Sequence, residues 1–307
     1  MSVTRVSDAQ LFSLLSERAG QLQAQIADLQ AQVASGQRLT TPDQDPIAAG
    51  QVVRFNADLA ALTQYGSASR FGSDVLGAQD KALGDAEQIM VRADEIATQQ
   101  ASGLLGPGER QAAAEEVHGL LQALTAIGNT ELAGRRIFAG LAAGPPPFAD
   151  PDSAGYDPST AYSGATEAFY LKTGSSPTDR VRLTTAPQVA GTAVTTTFTG
   201  SLVALQDLET KLRTNVDVTS TLTALAQGRD DITTEQASVG AREAQLVGRV
   251  TQLSALQTAN QGARSRLQDA DLVGVVSQLS QAQTALQALL AAGGQLVQTS
   301  LVDLLHV

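Results

Sequence analysis

Between Asp8 and Ser35 apolar residues recur in alternating steps of four and three, through Leu15, Ala19, Leu22, Ile26, Leu29 and Val33. This is the a/d spacing of a coiled coil, and it predicts one amphipathic helix over residues 8 to 35, interrupted by Ser35-Gly36. A linker follows over 37 to 45. Asp45 then precedes Pro46, which suits a helix N-cap and a first helical position. The next helix is expected to reach about residue 100, with Val53, Leu59, Leu62, Leu76, Leu83, Ile89 and Ile96 on its buried side. Gly66, Gly72 and Gly77 weigh against its continuity. Gly103 to Gly108 reads as a turn, and a helix over 108 to 136 turns Val117, Leu120, Leu121, Leu124 and Ile127 inward.

The pattern changes over 141 to 199. Pro145-Pro146-Pro147 opens the segment, and it holds six of the eleven aromatic residues: Phe148, Tyr156, Tyr162, Phe169, Tyr170 and Phe198. Arg180-Val181-Arg182-Leu183 alternates polar and apolar, and Thr192 to Thr199 is rich in β-branched residues. These features predict a small β-rich insert, which we expect the helical part to fold without. Helical spacing returns near 200 with Val203, Leu208 and Leu212. It continues over 219 to 262 through Leu222, Leu225, Ile232, Val239, Leu246, Val250 and Leu253. After a break at Gly262, a last helix covers 266 to 303.

The last helix is the most informative on physical grounds. No charged residue occurs from Leu272 to Val302, yet Ser277, Gln278, Gln281, Gln283, Gln287, Gln295 and Gln298 break it up too often for a membrane span. Leu272, Val275, Leu279, Ala282, Leu286, Leu289, Gly293 and Leu296 carry the heptad forward. A helix in the protein's own core normally keeps charge on its solvent side. Burial on several sides, as inside an oligomeric tube, accounts for its absence. The simplest way to bury both terminal seams is to pack the N-terminal helix on the C-terminal one. The expected fold is therefore mainly α: a long antiparallel helical rod with terminal coiled-coil helices paired N to C, plus a small β-rich insert.

Composition narrows the chemistry. The chain has 307 residues, 43% hydrophobic but only 4% aromatic, and a net charge of -11. An acidic surface with three lysines opposes nucleic-acid binding and basic-patch membrane binding. The absence of cysteine removes disulfides, thiolate metal sites and thiol nucleophiles. The N-terminus lacks the apolar stretch and cleavage site of a secretory signal. His118 stands beside Glu115 and Glu116, and the second histidine, His306, lies one residue from the end, so neither forms a recognisable metal site. Gly106-Pro107-Gly108-Glu109 lacks the Lys-Ser/Thr of a phosphate loop and reads as a helix start. Asp43 with Asp45, and Asp150 with Asp152, lack the Gly and distal Glu of a calcium loop. Neither a cofactor motif nor a catalytic constellation emerges, and a non-enzymatic role is expected.

Several stretches carry a resemblance. Ser35-Gly36-Gln37-Arg38, then Pro42, then Asp45-Pro46-Ile47-Ala48-Ala49, resembles the signature after the first helix of the bacterial flagellin family, with Asp43-Gln44 where Ser-Asp is common. Ser265-Arg266-Leu267-Gln268-Asp269-Ala270-Asp271 resembles that family's opening of the last helix, and Ser300-Leu301-Val302-Asp303-Leu304 its close. Asp45-Pro46, Ile137-Phe138-Ala139-Gly140 before Pro147-Phe148, and Val239-Gly240-Ala241-Arg242 look more like the members at the hook–filament junction than like filament subunits. The resemblance implies a structural role joining hook to filament, with a short filament-forming flagellin or an unrelated helical scaffold as alternatives. It implies export without a cleaved signal and an extracellular place in the flagellum. Copies of the chain itself, flagellin, the neighbouring hook-associated protein and a flagellar export chaperone are the implied partners. It also implies a terminal coiled-coil domain from 1–40 and 265–307, a helical rod from 41–140 and 200–264, and an outer domain over 141–199. The expected assembly interface is Leu15, Leu22, Ile26, Leu29, Val33, Leu272, Val275, Leu279, Leu286, Leu289 and Leu296.

Overall fold

The computed structural model describes the backbone of residues 3–102, 106–142, 144–165, 167–184, 188–190 and 193–305. Side chains are described for 10, 12–102, 106–142, 144–165, 167–184 and 196–294. Six helices account for most of it: α1 (Val3–Ser35), α2 (Pro46–Ala101), α3 (Pro107–Gly128), α4 (Thr199–Arg213), α5 (Thr219–Gln268) and α6 (Leu272–Leu305). Between α3 and α4 lie three antiparallel hairpins: β1 (Glu131–Leu132) with β2 (Arg135–Arg136), β3 (Tyr170–Lys172) with β4 (Arg180–Arg182), and β5 (Gln188–Ala190) with β6 (Ala193–Thr195). The mainly α fold with a small β-rich insert is the one the hydrophobic pattern predicts. The chain forms two compact units, one of residues 1–61 and 256–307, the other of 62–255.

In the second unit the core follows two seven-residue rows along α2. Ser69, Leu76, Leu83, Met90 and Ala97 form one, and Gly72, Gln79, Ala86, Ala93 and Gln100 the other; all are buried. On α5, Leu225, Ile232, Val239 and Leu246 are buried at the same interval. A strict seven-residue repeat keeps one seam facing its partner along a helix, which explains continuity through glycines. Gly72 is part of that packing, because a Cβ there would stand 2.7 Å from a Leu171 methyl and 2.8 Å from one of Leu246. Helices α3 and α4 pack together, contributing Val117, Leu121, Leu124, Leu202, Leu205, Leu208 and Leu212 to the same core.

The insert shares this core rather than standing apart from it. Phe148, Val181, Leu183 and Phe198 are buried in one cluster with the helical residues. The Phe198 ring meets Phe138 edge-on at 4.9 Å and Phe148 at 5.6 Å. Gln79, itself buried on α2, donates from its amide nitrogen to the carbonyls of Ile137 (2.7 Å) and Leu183 (2.9 Å). The expectation that the helices fold without this segment is therefore revised: its aromatic residues belong to the same close-packed core as the helical leucines.

Other departures are local. The third helix stops at Gly128, not 136, because Asn129 turns the chain, and Ala133 and Gly134 take positive φ (51° and 77°) between β1 and β2. Val53, expected inward, is 68% exposed. Helix α5 passes through Gly262, and the break falls at Asp269–Asp271 instead. Two helix starts form as their sequences indicate. The Asp45 carboxylate accepts the Ala48 amide at 3.0 Å, and the Glu109 carboxylate accepts the Gly106 amide at 2.8 Å ahead of Pro107.

Candidate assembly surface

The first unit is built on the two ends of the chain. Helix α1 packs against α6, as burial of both seams requires. Leu29, Val275 and Ala282 are buried at the contact, with Ile26, Ala270 and Leu279 packed on them. Leu15, Leu22, Leu286 and Leu289 are half-buried. Val33 and Leu272 depart from the expected pattern: they are 36% and 47% exposed, standing near the ends of their helices. The side chain of Leu296 lies outside the described residues.

The two end motifs, far apart in sequence, meet in this unit. Helix α1 ends at Gly36, whose φ of +68° is a left-handed cap that a side chain would resist. The chain then runs antiparallel to the end of α5. Gln37 bridges Asp269, the Arg38 amide donates to the Gln268 carbonyl at 2.7 Å, and the Ala270 amide to the Gly36 carbonyl at 2.9 Å. The Arg38 guanidinium donates to the Leu267 carbonyl at 2.9 Å and lies 3.8 Å from Asp45. The Gln44 side-chain oxygen accepts the amides of Thr40 (2.9 Å) and Thr41 (3.4 Å), holding the linker in a turn. Arg264 donates to Asn56 at 3.1 Å, and Asp271 accepts the Gly274 amide at 3.3 Å where α6 begins. Sequence reasoning found both motifs but not their joining, which rests on backbone hydrogen bonds with no residue signature.

Among the positions this pair leaves uncovered are several large apolar side chains. Phe12 is 60% exposed and Leu14 62%; on α6 Val273 is 83% exposed, Val276 50% and Leu290 58%. Helix α6 has no charged side chain from Leu272 to Val302 to hold water over these positions. The arrangement offers surface for packing and little for chemistry. Among the described residues, no cluster of three or more His, Asp or Glu is placed to hold a metal ion, and no helix is long and apolar enough to cross a membrane.

Comparison with known proteins agrees with this architecture. The model of the bacterial flagellin N-terminal helical region matches residues 6–143, and that of the bacterial flagellin C-terminal helical region matches 222–305. Together they span most of the chain, which belongs to the bacterial flagellin family. It is 31% identical over 135 residues to flagellar hook-associated protein 3 of Salmonella typhimurium strain LT2, a match covering 44% of this chain and 42% of that protein. The chain thus spans less than half the length of the curated relatives it matches. Its fold is also that of the crystal structure of FlgL from Bacillus cereus, at 19% identity and a TM-score of 0.56, over 69% of this chain and 99% of that one. A putative flagellar hook-associated protein from Vibrio parahaemolyticus shares the fold at 14% identity and a TM-score of 0.60, over 74% and 100%.

Proposed function

We propose that this protein is a structural subunit of the bacterial flagellum that joins the hook to the filament. The 31% identity to flagellar hook-associated protein 3, in a chain with both flagellin helical regions, carries this reading. The α1–α6 pair is the part that assembles: its exposed apolar positions, among them Phe12, Leu14, Val273, Val276 and Leu290, pack against copies of the chain, against flagellin on one side and the neighbouring hook-associated protein on the other. The seams proposed to carry assembly comprise Leu15, Leu22, Ile26, Leu29, Val33, Leu272, Val275, Leu279, Leu286, Leu289 and Leu296, of which Ile26, Leu29, Val275 and Leu279 hold the α1–α6 pair itself together. Within this reading, 1–40 with 265–307 form the terminal assembly part, 41–140 with 200–264 the rod, and 141–199 the outer part. The chain leaves the cell unfolded through the flagellar export channel, met by an export chaperone, and performs no catalysis.

Deleting the gene tests this. We expect hooks without attached filaments and flagellin shed into the medium; normal filaments in the deletion strain would rule the role out. Immunogold labelling separates it from a short flagellin, which would label along the filament instead of at its hook end.

A further inference from the structure

A group unrelated to assembly lies where α3, α4 and the loop after Phe148 meet. The His118 ring on α3 has both nitrogens engaged by carboxylates. Nδ1 is 3.2 Å from Glu209 on α4, and Nε2 is 2.9 Å from Asp152 in the loop. Gln122, one turn on, donates to the other Asp152 oxygen at 2.8 Å and lies 3.3 Å from Nε2. Glu115 on its own helix is also near enough to feel the ring, and Arg213 on α4 binds both Glu115 (2.7 Å) and Glu209 (2.8 Å).

We propose that His118 is a pH-operated clasp: as imidazolium it pins the Asp152 loop to the α3–α4 pair, and as neutral imidazole it releases that loop. The reason is donor arithmetic. An imidazolium has two N–H donors and serves both carboxylates, whereas a neutral ring has one. The side chain of Glu209 is 13% exposed and that of Asp152 58%, so Asp152 is the partner that water can replace. Gln122 stands ready to donate to a neutral Nε2, while Asp152 would then face a lone pair. Across to α3 one exposed bond from Gln122 to the other Asp152 oxygen (2.8 Å) would then remain, and the other ties are local: the Asp150 carboxylate accepts the Asp152 amide at 3.0 Å, and the Asp150 carbonyl accepts the Ser153 hydroxyl at 2.6 Å.

Burial pushes the ring toward neutrality, but the hydrogen bond and charge of Glu209, then those of Asp152, outweigh it and hold the His118 pKa above its ordinary value. A raised folded-state pKa means that the clasp is fully closed below the ordinary histidine range. It opens as pH rises through the raised value.

The experiment uses the full chain. Histidine ring resonances are followed against pH, with His306→Gln assigning the pair, and amide exchange of residues 149–157 is measured at the same pH values after correction for intrinsic rates. We expect a several-fold loss of protection in the loop centred on the His118 midpoint, with α3 and α4 unchanged. His118→Gln should flatten that profile, and Asp152→Asn should lower the His118 midpoint. Loop protection that ignores His118 titration, or a profile that persists in His118→Gln, overturns the proposal. If His118→Gln does not fold, Asp152→Asn decides alone, and an unmoved His118 midpoint overturns it.

Discussion

The two compact units put the same helical spacing to different uses. In residues 62–255 the heptad rows of α2 and α5 end in side chains such as Leu76, Leu83, Ile232 and Leu246 with no exposed surface. In the α1–α6 pair an equally regular heptad buries, among the described residues, Leu29, Val275 and Ala282, and leaves Val33 and Leu272 in view. The difference lies in what each seam meets. The inner rows face other helices and the insert's aromatics, whereas among the described residues the end helices pack chiefly on each other. Heptad regularity thus records that a surface will be buried, without saying whether the same molecule buries it.

Replacing residues 145–199 by a short linker should disturb the first of these regions most. It removes Phe148, Val181, Leu183 and Phe198 from the shared core, where one Phe truncation alone costs about 3–5 kcal/mol. We expect loss of most of the cooperative melting transition by circular dichroism; a helical signal melting as in the intact chain would show a self-sufficient helical core. A matched pair of substitutions sharpens the contrast. Leu205→Ala, at a fully buried α4 position, should cost about 3–5 kcal/mol in denaturant unfolding, and Leu29→Ala in the thin seam clearly less. Equal costs would mean that the end helices are as well packed as the core. The smallest effect on the monomer is expected from Leu286→Asp, less than about 1 kcal/mol, because this half-buried side chain can turn its carboxylate to water. Its effect belongs to assembly, where desolvating the carboxylate is costly, and complementation of a deletion strain should fail. Normal motility would show that this seam is not an assembly surface.

These contrasts follow what was legible in the sequence. Period and caps were enough for the helices: Asp45-Pro46 and Gly106-Pro107 mark real starts, because a cap is a local hydrogen bond. The end of α3 was not legible, since Leu132 follows Leu124 at the helical interval of eight residues and Ala133 is an unusual residue for a left-handed turn. Gly262 misled in the opposite sense, because a helix with packed neighbours tolerates a glycine that costs only about 1 kcal/mol. The insert's place in the core was hidden because alternation in Arg180–Leu183 says which residues turn inward, not onto what. The candidate surface was readable as two seams and two motifs; the Gln37–Asp269 bridge between them was not.

That bridge also bears on the order of folding. Arg38 and Leu267, joined by a hydrogen bond, are 229 residues apart, and closing such a loop in an unstructured chain costs about 5 kcal/mol in entropy, more than the few contacts around it return. Gly72 lies against Leu246, so formation of the 62–255 core closes most of that loop first. The contacts between the end helices, being long-range, are therefore expected to form after the 62–255 core. Under the export route proposed above, that long-range topology would keep the two apolar end helices apart until both have emerged, and so would delay formation of the proposed assembly surface.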